Sequence, residues 1–349
     1  MLGLGVTIVR RSKRVHVGDD VEEHLTVQNI GRLPKSVIEV EDLSDLPGYS
    51  NGMAVSLSAK GSRSWTSLAP ARKRGVYTMG PVMVSNTDPF GLFKRDRFFG
   101  ETEALLVYPR TYDLPGFVIP SAHRSGENSA RRRSHDLTPH AASVREYSFG
   151  DSISRIHWNS TARIGKLMSK DFDLGFSSDV WILVDLHREV QVGELEESTD
   201  EYAASIAASL GRKYQNETLP VGLVAYGDQR YVLQAETSSG QLDRLMEFLA
   251  ISKSEGTVPL DEVIALEEQL WGYHSSIVVI TSSHRVEWVT ALKELIRRRI
   301  KVLVVLLDGM SFGGIYDSTA VVPKLYEAGV SPYIVRQGDS IPVALSHTY

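Results

Sequence analysis

From residue 180 to the C-terminus the chain alternates short apolar runs with segments of helical period, and this alternation constrains the fold more than any other feature. Val180-Trp181-Ile182-Leu183-Val184 has no polar interruption, as a strand buried on both faces of a parallel sheet requires. Helical patterns are expected over 201–214, 241–251, 260–270, 286–298 and 321–328, with strands over 220–226, 276–280, 301–307 and 333–335. Ala203, Ala204, Ala207 and Ala208 give the first of these helices a face that can pack closely. Strands alternating with helices of this length imply right-handed crossovers and a largely parallel sheet. Sites on such sheets lie at the carboxyl ends of the strands, here Asp185, the turn at 226–228, Thr281-Ser282-Ser283 and Asp308.

The first third of the chain has a different period. Residues 6–17, 22–30, 36–40, 55–58, 75–85 and 104–108 read as strands separated by turn signals such as Gly18-Asp19-Asp20. No long helical pattern interrupts them, which is the signature of a β-sandwich. Residues 120–140 hold few apolar side chains and a run Arg131-Arg132-Arg133, and are expected to form an exposed linker. The chain is therefore expected to comprise a β-sandwich-like domain over 1–112, a linker and dense motif segment over 113–178, and an α/β domain over 179–349. A length of 349 residues with 42% hydrophobic content supplies apolar material for two cores.

Two bulk properties exclude function classes. The chain has no cysteine, so disulfides, thiolate metal sites and a cysteine nucleophile are ruled out. A formal charge of −5 gives the whole chain no strong attraction to nucleic acid or to an anionic membrane. No apolar run reaches the roughly 18–20 residues needed to cross a bilayer. Arg10, Arg11, Lys13 and Arg14 follow a short apolar start, as basic residues do on the cytoplasmic side of a span. A first strand with a solvated basic flank explains them better.

The densest segment runs from Arg145 to Arg163. Phe149-Gly150-Asp151 is expected to turn, with Asp151 capping a short helix and Arg155 one helical turn further on. Trp158 adds a large apolar face, and Arg163 and Lys166 add positive charge. Two readings follow: a structural latch built on the Asp151–Arg155 pair, or a partner- or anion-binding surface made by Arg145, Arg155 and Arg163. The residue chemistry favours the latch, and Asp151→Ala is expected to cost stability.

These residues resemble the hallmark R-x-Y-x-x-G-D-x-x-R-x-I-x-W-x-x-(S/T)-A-R of the bacterial "domain of unknown function 58" family. Arg145, Tyr147, Gly150, Asp151, Ile156, Trp158, Thr161, Ala162 and Arg163 match it. Ser154 stands where the middle arginine belongs, and Arg155 follows it. Asp88-Pro89-Phe90-Gly91-Leu92-Phe93 and Val107-Tyr108-Pro109 resemble two further motifs of the family, in the same order. The resemblance implies a β-rich region followed by a von Willebrand factor type A-like domain, usually behind two membrane-spanning helices. It also implies work beside a MoxR-type AAA+ ATPase, as an adaptor at the cytoplasmic side of the cell membrane, or in the cytoplasm where no anchor exists.

A type A domain would hold Mg²⁺ through D-x-S-x-S, a threonine and a second aspartate, all hard oxygen donors. Here Asp185 and Thr257 match, whereas His187 and Glu189 replace the serines and Ser282 lies where the second aspartate belongs. Imidazole suits Mg²⁺ poorly. No cofactor is expected, with Mg²⁺ the weaker alternative in a metal-dependent adhesion-type module.

Signals for catalysis are sparse. No serine sits in a strand-turn-helix elbow of the G-x-S-x-G type, and no H-E-x-x-H or phosphate-loop pattern occurs. His157 lies near Asp151 in sequence, and Asp228 and Glu236 are a possible carboxylate pair. A hydrolase with an unrecognised site is thus the third reading, behind a non-catalytic protein-interaction role.

Overall fold

Strand β3 (Asp20–Asn29) shows how the N-terminal region is built, because its alternation places Val21, Glu23, Leu25, Val27 and Asn29 on the buried face. The computed structural model describes residues 3–11, 13–49, 52–87, 94–119, 143–146, 158–171, 179–273 and 275–348. Before β3 come β1 (Leu4–Arg10) and β2 (Arg14–His16). After it come β4 (Lys35–Asp42), β5 (Met53–Leu57), β6 (Ser62–Pro70), β7 (Gly75–Met79), β8 (Val82–Thr87), β9 (Lys94–Phe99) and β10 (Glu103–Tyr108). They form sheets in the orders β1-β3-β6, β2-β10-β7 and β5-β4-β8-β9. Leu25 and Val27 from the first sheet meet Ile38, Val40, Val82 and Val84 from the third in one apolar core, as in a sandwich.

Two expected single strands are each divided. The 6–17 run becomes β1, paired with β3, and β2, paired with β10. The 75–85 run becomes β7 and β8, which belong to different sheets and flank Gly80-Pro81, where proline supplies no N–H to a ladder. In both cases the chain changes sheets at a corner, which hydropathy does not register. The expected solvated basic flank also differs in part. Arg10 is buried, 2.9 Å from both Glu23 and Asp42, whereas Arg11 makes an exposed pair with Glu22.

Residues Met1–Phe117 and Asp179–Tyr349 group as one compact unit and Val118–Ser178 as a second. Within the second, β11 (Ser143–Glu146) pairs antiparallel with β12 (Met168–Asp171), and α1 (Trp158–Ile164) lies between them in sequence. The Thr161 hydroxyl accepts a hydrogen bond from the Met168 amide at 3.0 Å, joining the helix to the strand that follows.

The C-terminal stretch begins with β13 (Val180–Val184), a small hairpin of β14 (Gly193–Glu194) and β15 (Glu197–Ser198), and α2 (Thr199–Asn216). It continues with β16 (Val221–Tyr226), β17 (Arg230–Glu236), α3 (Gln241–Ile251), α4 (Leu260–Glu267), β18 (Ser276–Thr281), α5 (Glu287–Arg297), β19 (Lys301–Leu307), α6 (Val322–Glu327), β20 (Tyr333–Val335) and α7 (Ile341–Ala344). The sheet order is β17-β16-β13-β18-β19-β20, parallel throughout except for the antiparallel edge strand β17. Every residue of β13 and β18 is buried, as the apolar run of β13 foretold. Trp181, Trp271 and Trp288 anchor a core cluster against β18, β19, α4 and α5.

The sandwich and the α/β stretch of the first unit are joined by one buried cation. Arg74, just before β7, donates to the Leu249 carbonyl at 2.8 Å, the Asp200 carbonyl at 2.9 Å and the Glu201 carboxylate at 2.7 Å. Its guanidinium thus satisfies acceptors at the start of α2 and near the end of α3. Tyr112 N to Ser209 Oγ and Arg212 to Thr111 extend the same seam.

Candidate functional site

Strand order reverses between β13 and β18, so the loops after them flank a crevice at the carboxyl edge of the sheet. Asp185 is the first residue past β13 and is buried. One carboxylate oxygen accepts from the His187 amide at 3.0 Å, and the other from the Thr281 hydroxyl at 2.6 Å. Burial pushes the Asp185 carboxyl above the ordinary carboxylate range, against the opposing pull of Thr281 and the His187 amide. Thr281 in turn accepts from the Ser283 amide at 2.9 Å. The three elements of this knot are the end of β13, the end of β18 and the loop that follows it.

Neighbouring loops are fastened equally tightly. His187 forms a bridge with Gly256, whose amide donates to Leu186 and whose carbonyl accepts from Arg188. A Cβ at Gly256 would come within 2.3 Å of the Tyr226 carbonyl oxygen, so this approach requires glycine. The Ser282 hydroxyl donates to the Val190 carbonyl at 2.6 Å, and the Ser282 carbonyl accepts from Ser318 at 2.6 Å. Gln191 donates to the Asp185 carbonyl at 2.8 Å.

The structure brings Asp185, His187 and Ser282 into this crevice but does not gather the five candidate ligands. Glu189 is directed to Arg285, 2.9 Å away, and Thr257 is exposed. A cavity of about 10 Å³ remains beside Asp185 and His187, room for one water at most. Asp261, Ser283, Arg285 and Trp288 also line it, and the buried Trp288 indole N–H has no partner among the described residues. A guanidinium and an orphaned N–H are donors, which a cation cannot use. The residues present therefore do not fit Mg²⁺ or another divalent ion. Among the described residues no group of three or more His, Asp or Glu side chains is placed to hold a metal.

The possible carboxylate pair is also divided. Asp228 accepts from the Tyr231 hydroxyl at 2.9 Å, whereas Glu236 pairs with Arg244 at 2.9 Å. Of the dense motif, Tyr147, Gly150, Asp151, Arg155, Ile156 and His157 lie outside the described residues, as do the linker over 120–140 and the segment 88–93. The latch built on Asp151 and Arg155 falls there too. Arg145 is described only as a residue of β11, which pairs with Ser169 of β12. Trp158 and Arg163 are both exposed on α1.

Comparison with known proteins bears on the same stretch. Residues 143–310 match the family model described as "Protein of unknown function DUF58". The matched segment resembles that family. A curated relative, "Uncharacterized protein YeaD" of Bacillus subtilis (strain 168), is 24% identical over 188 residues, 54% of this chain and 45% of the relative. The chain thus matches less than half the length of that relative. Among solved structures, the CARDB domain of the PF1109 protein from Pyrococcus furiosus aligns with 30% of the chain and 91% of its own length at 20% identity and a TM-score of 0.22. The C-terminal domain of wzt aligns with 30% of the chain and 73% of its own length at 13% identity and a TM-score of 0.23. Scores this low establish no shared fold. The β-rich N-terminal region of the chain rests instead on its own strand pairing.

Gln191, Trp288 and Ser318 were not singled out from the sequence as parts of the crevice, whereas Thr281 was read as one of its strand ends. Thr281 carried the one available signal, since it directly follows an apolar strand.

Proposed function

We propose that this protein is a non-catalytic interaction module whose C-terminal half is a von Willebrand factor type A-like domain. The strand order β17-β16-β13-β18-β19-β20 with one antiparallel edge supports that domain assignment, together with the family resemblance. The observation that carries the interaction reading is the character of the strand-end loops. Beyond the knotted crevice, Met310 is 55% exposed, Ile315 83% and Tyr316 55%. Tyr316 stacks on His284 with ring centroids 4.2 Å apart, so the loops after β18 and β19 share one apolar platform. Exposed apolar groups beside a rigid polar base suit a protein partner, whose aromatic and aliphatic side chains would be covered on docking.

The partner proposed from the resemblance is a MoxR-type AAA+ ATPase, met at the cytoplasmic side of the cell membrane. No helix among the described residues is long and apolar enough to cross a membrane, so the proposed membrane association would need another element or the partner. A pull-down from native membranes with the full chain and with Ile315→Asp tests this. ATPase recovered with the wild type and lost with the variant supports the reading. Equal recovery with both, or none with either, removes it.

A further inference from the structure

A cavity of about 610 Å³ lies away from the strand-end crevice. Its wall is formed where β2 and β10 run parallel, with His16 opposite Tyr108, and where α2 and α3 pass. The volume falls within the roughly 300–1,000 Å³ of small-molecule sites.

Most charges around it are already engaged. Asp19 accepts from the His16 amide at 2.9 Å, and Arg212 donates to Thr111 at 2.8 Å and to Asp113 at 2.7 Å. Two are not. Arg110 has no carboxylate partner among the described residues, its guanidinium facing only the Tyr112 ring at 5.4 Å. Gly18, at φ +96°, leaves room beside it, since a Cβ there would sit 3.8 Å from the guanidinium carbon. Asp243, in the first turn of α3, has no ion-pair partner among the described residues. Between them lies an independent signal. Tyr108 is only 7% exposed, lines the cavity, and its hydroxyl is buried without a hydrogen-bond partner among the described residues. A buried hydroxyl left unpaired is costly, so its retention points to a ligand atom that completes it.

We propose that this cleft binds a small zwitterion, an amino acid or short peptide with an apolar side chain. Its carboxylate would pair with Arg110, its ammonium with Asp243, and a polar atom with the Tyr108 hydroxyl. Val17, Leu242 and Met246 supply the apolar wall. A plain anion would leave Asp243 facing like charge, and a plain amine would leave Arg110 unused. The guanidinium suits a carboxylate because it donates in a planar fork.

Calorimetric titration of the full chain tests this with L-leucine, L-leucyl-L-leucine and two leucine analogues. Isocaproate lacks the ammonium and isoamylamine lacks the carboxylate. Leucine or the dipeptide is expected to bind about tenfold or more tightly than either analogue. Asp243→Asn should reduce leucine to the affinity of isocaproate, Arg110→Gln should reduce it to that of isoamylamine, and Tyr108→Phe should weaken it. Arg110 and Asp243 are exposed, so their variants should fold, which a thermal melt verifies. No heat from leucine or the dipeptide at millimolar concentration, or binding indifferent to Arg110 and Asp243, overturns the proposal.

Discussion

Arg74 Nη1 lies 2.7 Å from Glu201 Oε1, and each side chain is 3% exposed. Asp200 approaches the same guanidinium at 3.5 Å. The two carboxylates respond oppositely. Burial dominates at Glu201 and pushes its carboxyl up, whereas at Asp200 burial is outweighed by Arg74, the Ser198 hydroxyl, Lys73 and the Ser254 hydroxyl, which hold it low. Removing one member strands the others in a dry seam. Arg74→Ala is expected to destabilise the fold by about 3–5 kcal/mol, measured by urea unfolding. A loss below about 1 kcal/mol would mean that the seam is hydrated.

Asp185 predicts the response of the strand-end crevice to pH. Its folded carboxyl titrates above the ordinary value of 3.8, so the folded chain holds a proton that the unfolded chain releases. Its contribution is therefore greatest below that ordinary value and declines as pH rises through the folded value. Asp185→Asn keeps an acceptor for the His187 amide and removes the buried charge. It should melt at or above the wild type at pH 8 and lose the advantage at pH 4. Asp185→Ala should cost about 1–3 kcal/mol, because the His187 amide and Thr281 hydroxyl lose their acceptor. Magnesium added to the wild type is expected to give no calorimetric heat; a saturating isotherm would refute the donor-rich description of the crevice.

Glu267 behaves in the opposite sense. Arg230 binds it through both oxygens, at 2.5 and 2.9 Å, and the Tyr226 hydroxyl adds a short hydrogen bond. Arg230 first, and then Tyr226, hold its carboxyl below the ordinary value of 4.5 despite burial. The stabilisation is thus present above that value and lost as pH falls through the lower folded value. Thermal melts of wild type and Glu267→Gln should differ at pH 7 and converge under strong acid. Arg230 is more than half exposed, so the difference should be modest and should shrink with salt.

The apolar platform makes a separable prediction. Ile315→Asp and Tyr316→Ser change exposed side chains and should alter stability by no more than about 0.5 kcal/mol. Both should nevertheless abolish partner capture. A large fall in melting temperature would instead make these residues part of the fold.

Legibility of the fold followed the depth of its elements. Strands β13, β18 and β19 were visible because uninterrupted apolar runs have few other uses. Strands β6 and β9 were not, since each is an edge with one partner and carries mostly polar, exposed side chains. Asp185 was visible as a strand-end acid, but the Thr281 hydroxyl that occupies it comes from another strand's register. Arg74 gave no signal, because a buried arginine before a glycine looks in sequence like any turn cation. The motif from Arg145 to Arg163 was prominent in sequence, although most of it lies outside the described residues.

The first unit is assembled from two stretches of chain with residues 118–178 between them. A ribosome delivers the sandwich layers first, with the Arg74 guanidinium still lacking every acceptor it will finally bind. Glu201 and Leu249 emerge only later, so the seam can close only after translation has passed the intervening segment and the start of the second stretch. A nascent chain halted before α2 would therefore present that cation to whatever chaperone or carboxylate it meets.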